Sequence, residues 1–174
     1  GIPTFFGDIL SELAELHVEY SSYKRLVCVT DNDAYNTLVA TDLAPEYGRA
    51  NVFQLRRDTR ETRRHALPIT LGGKRLAGGL TYGELNRHMH QGWKVRTTRL
   101  SESFGPEAFA ARYPDSILIG ELPPRGSLRL FEFLPDDDTP PTPVAEATVL
   151  HLAPPDPEGT AKEESETRGA GGQD

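Results

Sequence analysis

Apolar positions in the first third of the chain fall into three short runs. Leu26-Val27-Cys28-Val29 is β-branched and does not alternate, which predicts a strand buried on both faces. Thr4-Phe5-Phe6 and Val52-Phe53-Gln54-Leu55 are the other two strand candidates. Leu38, Val39 and Leu43 recur at helical spacing behind Thr30-Asp31-Asn32-Asp33, any of which can cap a helix start. Gly48 closes that segment, and Pro45 inside it removes the hydrogen bond to Thr41, which predicts a kink or an early end. Leu10, Leu13 and Leu16 predict an earlier helix, capped by Asp8 or Ser11. Residues 1–57 therefore predict a partial parallel α/β sheet of three strands and two helices, with Leu26–Val29 in the middle. Ligands of such sheets sit beyond the carboxyl ends of the strands, which is where Thr30 to Asn36 falls.

The pattern then changes. Ala66 to Leu71, Gly72-Gly73 and Lys74 to Ala77 predict a β-hairpin with a two-glycine turn. Thr81-Tyr82-Gly83-Glu84 has capping-box spacing and starts a helix through Leu85 and Met89, closed by Gly92. Trp93 to Leu100 alternates and predicts a strand. Pro106 to Tyr113 predicts a short helix with proline near its first position. Ile117–Leu122 and Ser127–Leu134 predict a hairpin around Pro123-Pro124-Arg125-Gly126. Residues 66–134 are thus expected to be a small α+β unit, mostly antiparallel, joined to the first by a basic linker at 58–65. Residues 135–174 are Pro-, Asp-, Glu- and Gly-rich, with Val149-Leu150-His151-Leu152 as their one apolar patch. They are expected to be a disordered acidic tail, since such a composition buries too little apolar surface to offset ordering entropy.

Charge sharpens this division. The net charge is −7, and residues 136–174 hold two basic and ten acidic residues, so the rest of the chain is close to neutral. Residues 56–99 hold eleven basic and three acidic residues. Little aromatic interleaving accompanies Arg56, Arg57, Arg60, Arg63 and Arg64, so a solvated linker is expected and no nucleic-acid partner. The single cysteine, Cys28, excludes an internal disulfide framework and suits a core position in a reducing compartment. No apolar run approaches the roughly 20 residues of a membrane span. No signal peptide is visible, and a start at Gly1 rather than Met reads as a cut or fragment end.

Candidate chemistry is sparse. Asp31, Asn32 and Asp33 suit ribose hydroxyls or plain helix capping, and the run is not a calcium loop, because Tyr35 and Asn36 stand where a ligand and the turn glycine belong. His88 and His90 are two apart on a helix and point to opposite sides, while His17, His65 and His151 stand alone, so no metal site is expected. No nucleophile–base pair of the G-x-S-x-G type is visible and no carboxylates cluster beyond Asp31 and Asp33, so no catalytic residue is assigned and the chain is not expected to be an enzyme.

Gly7-Asp8, together with Cys28-Val29-Thr30-Asp31-Asn32-Asp33 through Asn36, resembles the TrkA-N or RCK family of Rossmann-like regulatory domains. Leu80-Thr81-Tyr82-Gly83-Glu84-Leu85 and Gly92 through Leu100 look like the region after that domain in bacterial monovalent cation:proton antiporters. The resemblance implies that the first unit is the C-terminal half of such a domain, lacking the glycine-rich turn that holds the pyrophosphate. It implies a cofactor, NAD or an adenine nucleotide, bound weakly or not at all by this part alone, at Asp8, Thr30, Asp31, Asn32 and Asn36. It further implies a transmembrane antiporter domain in the same parent chain, a homo-oligomer, and a place on the cytoplasmic face of the inner membrane. The alternatives are a degenerate NAD-dependent oxidoreductase fragment and a structural or dimerisation module without ligand.

Overall fold

A computed structural model describes residues 4–11, 19–58, 71–134 and 141–155. The chain divides into two compact units, Gly1–Gly83 with Glu132–Thr139, and Glu84–Phe131 with Pro140–Asp174. The fold is mixed α/β, with a three-stranded parallel sheet in the first unit and a four-stranded antiparallel sheet in the second. The predicted helix through Leu13 and Leu16, the arginines at 60, 63 and 64, His17, His65, the first arm of the two-glycine hairpin and residues 156–174 lie outside the described residues.

In the first unit, β1 (Leu26–Cys28), α1 (Asp33–Asp42), α2 (Ala44–Tyr47) and β2 (Val52–Gln54) follow in order. β1 and β2 pair in parallel, Leu26 opposite Val52 and Cys28 opposite Gln54. The expected strand–helix–strand unit is therefore present. Pro45 ends the helix early: α1 stops at Asp42, Leu43 caps it, and Pro45 opens α2 at a position that needs no N–H. Cys28, Val39, Ala40, Leu43, Ala44 and Val52 form the core between sheet and helices, with Leu26, Tyr35 and Tyr47 against it.

Three expectations for this sheet are corrected. Thr4–Phe6 forms no strand, and the Phe6 side chain is fully exposed. Among the described residues the middle strand is β2, and β1 is an edge. Consequently Val27 and Val29 are 39% and 43% exposed, and only the Leu26/Cys28 face of β1 is covered. The third strand is β3 (Lys74–Arg75), which runs parallel to β2, with Phe53 opposite Lys74. Glycine explains the last result. A Cβ on Gly73 would stand 2.9 Å from the Phe53 carbonyl carbon and 3.0 Å from the Val52 oxygen, so only glycine lets the chain come that close to β2. Gly73 N–H also donates to Gln54 Oε1 at 2.9 Å. The pair of glycines thus seats β3 on β2. On the outer side of β3, Phe133 N–H donates to the Arg75 carbonyl at 2.8 Å and Lys74 pairs with Glu132. Arg56 is not a free linker residue: its N–H donates to Leu80 O and its Nε to Gly79 O at 2.6 Å.

The second unit contains α3 (Tyr82–His90, its first two residues falling in the first unit), β4 (Lys94–Arg99), α4 (Pro106–Arg112), β5 (Ile117–Leu122), β6 (Arg129–Leu130) and β7 (Thr148–Ala153). α3 ends on a Schellman motif. Gly92 has φ 83°, its N–H donates to Met89 O, Trp93 N–H donates to His88 O, and the Trp93 and His88 rings stack at 4.2 Å. β5 and β6 form the expected hairpin, though its second arm is only two residues long.

The sheet order is β4-β7-β5-β6, so β7 lies between the two longest strands. This overturns the expectation of a wholly disordered tail. Val149, His151 and Leu152 have no exposed surface, and β7 pairs with six residues of β4 and five of β5. Its apolar patch is short, yet a central strand is covered by neighbours on both sides and on both faces. Leu100, Phe109 and Val149 form the core on the α4 face, with Phe104, Tyr113 and Leu118 packed on it.

Candidate functional site

The loop between β1 and α1 stands at the carboxyl end of a parallel strand. Its shape comes from Asn36, which is 2% exposed. The Asn36 Oδ1 accepts from Thr30 N–H at 3.1 Å and from Thr30 Oγ1 at 2.7 Å, while its Nδ2 donates to Thr30 O at 2.8 Å. A side chain in the first turn of α1 therefore clamps the residue that leaves β1. Thr30 Oγ1 also accepts from Asn32 N–H at 3.3 Å. Asn32 is the N-cap of α1, its Oδ1 accepting from Tyr35 N–H at 2.9 Å. Asp33 Oδ2 accepts from Asp58 N–H at 2.7 Å, tying the helix start to the segment after β2.

Asp8 reaches this end of α1 through Tyr35, a contact that sequence reasoning missed. Tyr35 Oη donates to Asp8 Oδ1 at 2.5 Å and accepts from Ile9 N–H at 3.2 Å. Leu10 N–H donates to the same Asp8 oxygen at 3.0 Å. These bonds favour the charged form, the tyrosine hydroxyl most, and hold the Asp8 carboxyl below its ordinary range. Partial burial, followed by the Asp8 bond, pushes the Tyr35 hydroxyl up. No local signal in the sequence announces this pair, because 27 residues separate the partners.

The five candidate residues thus divide by what their side chains do. Thr30, Asn32 and Asn36 build the loop, and Asp8 is engaged by Tyr35. Asp31 is exposed and has no partner among the described residues. Three carboxylates, Asp8, Asp31 and Asp33, stand on or next to the start of α1. Such a surface attracts hydroxyl and amino hydrogen-bond donors and repels a bare phosphate. Cys28 lies under the loop; burial pushes its thiol up to about 11, so it is a core residue and not a nucleophile.

Outside this loop, His88 stacks on Trp93 and His90 Nδ1 contacts Asn86 O, so the two rings are engaged separately. Among the described residues no group of three or more His, Cys, Asp or Glu side chains is placed to hold a metal ion, and no helix is long and apolar enough to cross a membrane. In comparisons with known proteins the chain matches no family model, no curated protein and no solved structure.

Proposed function

We propose that the first unit is half of a nucleotide-sensing site in the cytosolic regulatory region of a monovalent cation:proton antiporter, and that it performs no catalysis itself. The observation that carries this reading is Asp31. Among the described residues it has no partner, and it stands on a loop that the Thr30–Asn36 clamp fixes at the carboxyl end of β1, where parallel sheets take their ligands. The carboxylates would accept from ribose hydroxyls and the adenine amino group of NAD or an adenine nucleotide. The pyrophosphate needs backbone N–H groups at another helix start, which the resemblance places in the upstream half of the domain. The transmembrane antiporter domain would lie in the same parent chain, with this part on the cytoplasmic face of the inner membrane. Self-association fits the same reading: among the described residues β1 pairs on one side only, and Val27 and Val29 are open beside it.

Titrating AMP to millimolar concentration into the isotopically labelled chain tests the site. The amides of Asp8 and of 30–36 should shift together. Shifts confined to the second unit would contradict the assignment. A second reading, a structural module that keeps the fold without a ligand, is favoured by Asn36, whose amide oxygen accepts twice and whose amide nitrogen donates to Thr30 within the protein; no shift anywhere would support it.

A further inference from the structure

The second unit holds two fully buried titratable side chains that the proposed function leaves unused, Glu121 and His151. His151 lies at the centre of β7 with no exposed surface. Its ring stands 5.0 Å from Phe109, edge to face, and 5.1 Å from Tyr113. Nε2 meets Thr98 Oγ1 at 3.0 Å, but among the described residues Nδ1 is buried with no hydrogen-bond partner. The neutral ring can leave a bare lone pair at Nδ1, which is tolerable. An imidazolium would bury an N–H there with nothing to receive it.

The charges around the ring do not favour protonation. From β4, Arg96 stands directly opposite His151 in the register. From α4, Arg112 lies over the Tyr113 ring, 5.6 Å from its centroid. From β5, Leu118 is the register partner and carries no charge. The acidic group on that strand is Glu121, opposite Val149, and it is already engaged: Oε1 pairs with Arg129 at 2.5 Å and Oε2 accepts from Val144 N–H at 2.8 Å. The two aromatic faces offer an imidazolium some cation–π attraction, but no acceptor for its second N–H. Burial and then Arg96 accordingly push the His151 ring below its ordinary value.

The partner of this ring is a weak element. α4 has seven residues, too few to persist without tertiary contacts, and Phe109 is its one buried side chain. Phe109 packs on Leu100 and Val149 and meets the His151 ring, and Tyr113, which follows the helix, meets the same ring. We propose that His151 is a proton-operated latch on α4: the neutral imidazole holds the helix against the sheet, and the imidazolium releases it.

The sign follows from linkage. The released state carries a histidine near its ordinary value of about 6.5, and the docked state binds its proton only at lower pH. Docking is therefore complete above about pH 6.5. It weakens as pH falls from there toward the docked-state value, and levels off below it. Hydrogen exchange of the Phe109 and Tyr113 amides, which donate to Gly105 O and Phe109 O, reads the docking directly in the full chain. Corrected for intrinsic rates, their protection should fall between pH 7.5 and pH 5 and follow the His151 ring titration in the same sample. His151→Phe should keep the protection at both pH values. Arg96→Met removes the repelling charge and should move the midpoint to higher pH. If His151→Phe does not fold, wild type and Arg96→Met decide alone. Equal protection at both pH values, a loss that persists in His151→Phe, or a midpoint unmoved in Arg96→Met would overturn the latch.

Discussion

Asn36 decides the shape of the candidate site more than any carboxylate does. Asn36→Ala would release three hydrogen bonds to Thr30, and Thr30 is exposed enough for water to replace part of them. The expected loss is about 1–3 kcal/mol in the urea unfolding of the first unit, and a change within 0.5 would contradict the clamp, at roughly the scale of an ordinary surface substitution. Cys28 gives a second check. A thiol near 11 and 7% exposed is almost wholly protonated at neutral pH, so iodoacetamide should label it only after unfolding. Full labelling of the native chain would show that the inner face of β1 is open. Asp8 gives a third. Its depressed carboxyl contributes stability that is present above its unfolded value and lost as pH falls through the folded one. Tyr35→Phe removes the larger of the two causes, so the Asp8 titration followed by NMR should move upward; an unchanged value would deny the contact a role.

At the scale of elements, β7 is the test of the fold. Ending the chain at Leu134 removes the strand between β4 and β5, which do not pair with each other. Trp93, at the entry to β4, should then lose its stack on His88 and shift its emission to the red, while a chain ending at Pro155 should keep the native spectrum. Equal spectra would mean that β7 is dispensable. What was legible and what was not divide along physical lines. β1, α1, α2 and β2 were legible because each signal is local: an apolar run, a cap, a proline, a glycine. The Schellman end of α3 at Gly92 is of the same kind. The partner of β3 was not, since two glycines announce a turn but not which strand the chain then meets; only the contact of Gly73 with the backbone of β2 decides that. Nor was β7, whose four apolar residues lie in acidic, proline-rich surroundings and gain their burial from strands 26 or more residues away. The β-branched run of β1 promised burial on both faces, but an edge position leaves Val27 and Val29 uncovered. In the site, the capping of α1 was visible in Thr30 to Asp33, whereas the Asn36 clamp and the Tyr35–Asp8 bond depend on tertiary placement.

At the scale of the whole molecule, each of the two units has its own sheet and its own core, and the proposed sensing role belongs to the first. Its open β1 edge leads to an expectation of self-association, which sedimentation at high concentration would detect and a purely monomeric chain would contradict. The nucleotide claim is the central one. In the proposed reading the acidic loop supplies acceptors for a nucleoside, and the resemblance puts the N–H groups for a pyrophosphate in the glycine-rich turn. Two or three missing charge-assisted hydrogen bonds, each on the order of 1.5–3 kcal/mol, would weaken binding by about two to six decades. Calorimetry with NAD, AMP and ATP tests this most directly, comparing residues 1–174 with a longer chain that carries the upstream glycine-turn half. The short chain should bind at millimolar strength or weaker. The longer chain should bind at least one of the three tightly, and Asp31→Ala in the longer chain should weaken that binding. Tight binding by residues 1–174 alone, or none by the longer chain, would contradict the account.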